Sequence, residues 1–124
     1  MAKIVVFAAV GLLASAIHIL VAWLLMFFLG VSVFICNLFG FLTAFVISYV
    51  GHYFFSFRSS ASHLQALAKF LLTAITGFLL NTFILYLLIH FFGYESIIFV
   101  VFAVACSAGL VYLISNYWVF VLRE

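Results

Sequence analysis

Long apolar stretches, separated by brief polar interruptions, make up nearly the whole 124-residue chain. Once Lys3, Arg58, Lys69, Glu95, Arg123 and Glu124 are marked as the charged positions, the runs between them are long enough to cross a bilayer, which takes about 20 apolar residues of helix. The pattern predicts membrane spans over about 4–29, 33–57, 70–92 and 97–121. Helices are expected for all four, because lipid offers no partner to backbone groups outside a helix or a closed barrel. The ten-residue blocks of alternating hydrophobicity that mark barrel strands are not visible. At 1.5 Å per residue the first span is roughly 39 Å long against a core of about 30 Å, so it should tilt or protrude. GVS (30–32) and GYES (93–96) read as tight turns joining antiparallel neighbours.

Composition agrees. A chain that is 72% hydrophobic and 5% charged is far more apolar than a soluble domain, where the apolar share sits near half, so water is not its main solvent. Lys3 followed by an apolar run and Ala14-Ser15-Ala16 resembles a cleavable leader, but the run continues to Leu29 and argues against cleavage. Cys36 and Cys106 lie inside different spans and form neither a disulfide framework nor a metal-ligand spacing. The expected fold is therefore an all-α integral membrane protein, one domain over 1–124 with four transmembrane helices.

The basic residues set its orientation. By order of crossing, the N-terminus, the 58–69 connection and the C-terminus share one side, which holds Lys3, Arg58, Lys69 and Arg123, while the opposite turns carry Glu95. The positive-inside rule places both termini in the cytoplasm, with the protein multi-pass in the inner (cytoplasmic) membrane. The halves also match one another. A shift of 63 puts Gly30 on Gly93, Tyr49 on Tyr112, Phe55 on Trp118 and Phe57 on Phe120, and a shift of 66 puts Lys3 on Lys69 and Gly11 on Gly77. Two parallel-repeat helical hairpins, 3–58 and 69–123, follow.

Within the spans, small and polar residues recur at helical spacing. Asn37, Gly40, Ala44, Ser48 and His52 share a face of the second helix; Gly11, Ser15, His18 and Ala22 do so in the first, and Thr73, Gly77 and Asn81 in the third. The fourth offers Ala105 and Gly109 on one track, with Ser107, Ser115 and Asn116 on or near another. Helix packing accounts for the Gly, Ala, Ser and Thr positions. Asn37, Asn81, His18 and His52 carry more donor and acceptor capacity than one neighbour satisfies, and intramembrane side chains of this kind are functional candidates. The rings near 49–57 and 117–120 read first as interfacial anchors.

No Asp or Glu lies inside a span, which argues against a carboxylate-driven cation exporter. No nucleophile–base pair, paired carboxylates or phosphate-cradling glycine loop is present, so no catalytic residues, metal or cofactor are expected and the chain does not read as an enzyme. No nucleic-acid partner is expected either.

CNLFGFLTAFVISYVGHYFFSFRSS (36–60) resembles the signature of the GtrA-like family of small four-helix membrane proteins: Asn-x-x-Gly/Ala-Phe, small residues, Ser-Phe/Tyr, a polar residue, then aromatic-x-Phe-Arg/Lys. SNYWVFVLRE resembles the close of the family's last helix, and AIHILV a first-helix segment where some members carry histidine. His52 departs from the pattern, standing where asparagine is more frequent. The resemblance implies translocation of a polyprenyl-phosphate-linked sugar, such as undecaprenyl-phosphate glucose, from the inner to the outer leaflet, for use by a separate membrane glycosyltransferase. On that basis Arg58 and Arg123, with Lys3 and Lys69, are expected to attract the phosphate. His18, Asn37, Ser48, His52, Asn81 and Asn116 are the expected hydroxyl-binding residues, and Tyr49 and Trp118 the expected stacking rings. Four slim helices enclose little volume, so a homo-oligomer is expected to form the groove, with membrane lipid around the tail. The competing class is a non-transporting scaffold that recruits the glycosyltransferase.

Overall fold

Two glycines end the rising helices. Gly30 and Gly93 adopt φ of 60° and 80°, the left-handed conformation that closes a helix at least cost when no Cβ is present. Their N–H groups donate to Met26 O (3.2 Å) and Ile89 O (2.7 Å). Beyond each turn a serine starts the next helix: Ser32 Oγ accepts from Phe34 N–H at 3.3 Å, and Ser96 Oγ from Ile98 N–H at 3.2 Å. The result, in this computed structural model, is α1 (Ala2–Leu29), α2 (Val33–Phe55), α3 (His63–Phe92) and α4 (Ile97–Val121). The structure describes the backbone of residues 2–55 and 63–121, and the side chains of 5, 8–51, 68 and 70–111.

The turns at 30–32 and 93–96 fall where the sequence places them. One boundary differs. α3 begins at His63 rather than near 70, because HLQALAK contains no helix breaker and continues the helix past the apolar span. The connection is correspondingly shorter than 58–69. Ala8–Leu29, Val33–Gly51 and Phe70–Phe92 are each long and apolar enough to cross a membrane, and α4 stays apolar over its described side chains, Ile97–Val111. The molecule is an all-helical, multi-pass membrane protein.

Side-chain size, more than polarity, separates inside from outside. Leu12, Phe28, Phe91 and Ile98 face outward, while Ala14, Ala22, Ala44 and Ala103 are buried. That arrangement suits lipid, which solvates large apolar side chains as well as a protein core does, so that helices associate by close approach of small ones. α1 packs along α2, α3 along α4, and α1 against α4, whereas α2 and α3 touch sparingly. Where α2 and α3 meet, rings span the gap: Phe41–Phe78 at 4.6 Å and Phe45–Phe70 at 5.5 Å between centroids. The hairpins are also joined at the turn end, where Glu95 Oε2 accepts from Val33 N–H at 3.3 Å. An anionic group there meets the positive end of the α2 dipole.

One expected seam is wrong. Ala105 and Gly109 face outward on α4, and its inward track is Val100, Ala103, Val104 and Ser107. A small residue permits close approach but does not compel it; on α4 the medium-sized residues fill the space instead. The inward seams of the other helices hold: His18, Ala22, Asn37, Gly40, Ala44 and Asn81 are all buried.

α1 and α2 pack tightly at Gly40, where a Cβ would lie 2.6 Å from both His18 O and His18 Cδ2. Gly40→Ala should therefore cost about 1–3 kcal/mol of stability. Gly11→Ala, whose Cβ meets nothing within 4 Å, should gain about 0.5–1 kcal/mol through helix propensity. Thermal unfolding of the two variants in detergent micelles checks the contrast.

Candidate functional site

Four polar residues are buried among the described side chains, one from each helix: His18, Asn37, Asn81 and Ser107. Packing registers bring them to one depth. His18 sits against Gly40, one turn from Asn37; Phe41 meets Phe78 across α2 and α3; and Gly77 meets Val111 across α3 and α4. Stepping each register one helical turn toward the hairpin turns sets Asn37 level with Asn81, and Asn81 level with Ser107. The bundle thus carries a polar layer about one turn thick.

His18 and Asn37 bond directly, with the imidazole Nε2–H donating to Asn37 Oδ1 at 2.8 Å. In that neutral tautomer Nδ1 is left as an acceptor. Gly40 makes the bond possible, since any side chain there would occupy the space of the ring. Ser107 Oγ donates to Val104 O at 3.1 Å within its own helix.

On the termini side of the layer a cavity of about 210 Å³ opens between α1, α2 and α3. Small residues hollow it out, Gly11, Ala14, Ala44 and Ala74; Phe41, Phe45 and Phe70 supply aromatic walls. Ser15, Ser48 and His18 supply polar groups, and none of the described lining residues is charged. On the turn side the layer is backed by a wholly apolar cluster containing Ala22, Val33, Cys36, Leu85, Phe99, Val100, Ala103 and Val104. From the cavity toward the turns, hydrogen-bonding groups therefore reach mid-depth and then give way to an apolar seal.

Of the expected site residues, the structure brings His18, Asn37 and Ser48 to this cavity or its floor. Asn81 is buried at the same depth on α3 but does not line the cavity. Tyr49 packs on Phe45 and Phe70, with centroids 6.5 and 6.0 Å away, rather than lining it. The side chains of His52, Asn116 and Trp118, and residues Arg58 and Arg123, lie outside the described residues. Sequence reasoning missed the walls. Phe41 and Phe45 stand four apart on one face of α2, a signal that was present but hidden among eighteen phenylalanines.

Compared with known proteins, residues 6–120 match the family described as GtrA/DPMS, transmembrane domain. The chain belongs to this family. No curated protein and no solved structure matches it. The GtrA/DPMS match spans all four helices, so the polar layer and the cavity lie within the family's own domain.

Asn37→Leu leaves the His18 donor without its partner and should lower stability by about 0.6–2 kcal/mol, the range of interhelical hydrogen bonds in membranes. Combined with His18→Leu, the loss should be smaller than the sum of the two single losses, because neither buried partner is then orphaned. A double-mutant cycle by thermal unfolding reads this directly.

Proposed function

We propose that the protein carries a polyprenyl-phosphate-linked sugar, such as undecaprenyl-phosphate glucose, across the inner membrane for modification of a surface polysaccharide. The observation that carries this reading is a ring-walled cavity with three polar lining residues, Ser15, Ser48 and His18, inside a chain of the GtrA/DPMS family. A hexose with about four free hydroxyls faces a gross cost of roughly 15–30 kcal/mol on entering hydrocarbon with those groups unpaired. Ser15, Ser48 and His18 supply replacement partners, and the faces of Phe41, Phe45 and Phe70 suit the apolar side of a sugar ring. At about 210 Å³ the space is below the roughly 300–1,000 Å³ of sites for drug-sized ligands. It therefore suits one sugar, with phosphate and isoprenoid left outside.

By sequence position Lys3, Arg58, Lys69 and Arg123 belong to the end where α1 begins and α2 ends. They attract the phosphate there, with that end in the cytoplasm. Asn81, His52, Asn116 and Trp118 join the path beyond or beside the cavity. The two hairpins are read as parallel repeats. Under the 63-residue shift, buried Cys36, Asn37, Gly40 and Ala44 correspond to buried Phe99, Val100, Ala103 and Ser107, which supports this register. A homo-oligomer and a membrane glycosyltransferase complete the picture, and the consuming transferase maintains the gradient. The second reading, a scaffold that recruits that transferase, is favoured by the outward Ala105 and Gly109 of α4, a face suited to helix docking.

In liposomes with a labelled polyprenyl-phosphate glucose, the protein should equalise the two leaflets. Gly11→Leu, which fills open space beside the cavity, should slow this by about tenfold or more. Equal sidedness with and without protein would favour the scaffold. In cells, Ser60→Cys should react with a membrane-impermeant maleimide only after the cytoplasmic side is exposed; reaction from outside would reverse the assigned orientation.

A further inference from the structure

The cavity offers a guest two serine hydroxyls, one imidazole and aromatic ring faces, and none of its described lining residues is charged. The sequence sharpens this for one sign of charge. Glu95 and Glu124 are the only acidic residues of the chain. Glu95 sits at the turn end, where it accepts from Val33 N–H beside the apolar cluster, and Glu124 follows the last helix. No carboxylate therefore belongs to α1, α2 or α3, the helices that line the cavity. Lys3, Arg58, Lys69 and Arg123 belong by sequence position to the same end of the bundle as the cavity, so the approach to it is cationic. Inside, His18 is the only titratable residue of the described lining, and its Nε2–H is committed to Asn37 Oδ1.

An ammonium group is a compact, strongly hydrated point charge with donors and no acceptor. In this cavity it exchanges its hydration for the oxygens of Ser15 and Ser48 and an imidazole nitrogen, all uncharged. A buried ion without a counter-charge is costly to dehydrate. The faces of Phe41, Phe45 and Phe70 attract cations, but that attraction recovers only part of the hydration lost. A hydroxyl in the same place carries no such cost.

We propose that the cavity is a charge filter, which admits neutral sugars and rejects those bearing an ammonium group. The inference rests on the transport reading and adds to it the chemical class of the sugar. One amine in place of one hydroxyl, with ring size and shape kept, is enough for exclusion.

Two short-chain prenyl-phosphate sugars, one of glucose and one of 4-amino-4-deoxyglucose, differ by that single group. The amine lies across the ring from the anomeric phosphate and does not pair with it. Both lipids are followed in liposomes with the protein, after subtraction of movement in protein-free liposomes. Below the pKa of the sugar amine, the glucose lipid should equilibrate about a hundredfold faster or more. As pH rises through that pKa the amine loses its charge, and the two rates should converge. Ser15→Asp, which places a carboxylate in the lining, should narrow or invert the ratio at the lower pH. Equal rates at the lower pH overturn the filter and leave the transport reading intact. Exclusion of the amine even when neutral overturns charge as its basis, and an unchanged ratio in a Ser15→Asp variant that still carries the glucose lipid overturns this cavity as its place. Protein-dependent movement of neither lipid, at any pH, overturns the transport reading and the filter with it. The pH series uses the unmodified chain, so it decides the matter even where Ser15→Asp does not fold.

Discussion

The hydrogen bond from His18 to Asn37, made over the missing Cβ of Gly40, is the constraint on which the first hairpin depends. In hydrocarbon no solvent stands ready to replace a lost partner. The two polar side chains must therefore find one another, and the helices must come close enough to let them. Gly40 supplies that closeness, since its Cβ position is already occupied by the carbonyl and ring of His18. The register of α1 on α2 is then set to within a residue, and with it the positions of Ser15, Ala44 and Ser48 around the cavity.

The second hairpin is built differently. Where α2 has Asn37 and Gly40, α4 has Val100 and Ala103, and these pack with Leu85 and Phe99 into the apolar cluster at the turn end. Glu95 reaches from the second hairpin to the start of α2, joining the halves beside the apolar cluster that contains Val33. At the termini end, by contrast, α2 and α3 are held apart by Phe41, Phe45, Phe70 and Phe78. The cavity lies on that open side because rings keep backbones apart while glycine and alanine draw them together. An apolar seal on the turn side of the polar layer and a cavity on its other side follow from the distribution of side-chain size.

Helix number, turn positions and the inward faces of α1, α2 and α3 were legible in the sequence. Each is a local property: charges interrupt apolar runs, glycine and serine break and restart helices, and residues four apart share a face. The same logic failed for Ala105 and Gly109, because small size is compatible with either face of a lipid-embedded helix. It also began α3 too late, since an apolar span and a helix need not share a boundary.

By itself, then, the sequence determined that the chain is a helical membrane protein of the GtrA/DPMS type, with polar side chains spaced to face a common interior. Only the tertiary structure decided which of them meet: His18 with Asn37 at a cavity floor, Asn81 buried outside the cavity, and Phe41, Phe45 and Phe70 as walls. The reason is physical. Helical periodicity fixes direction along one rod, whereas meeting across rods depends on interhelical registers, which side-chain volumes on both partners set together.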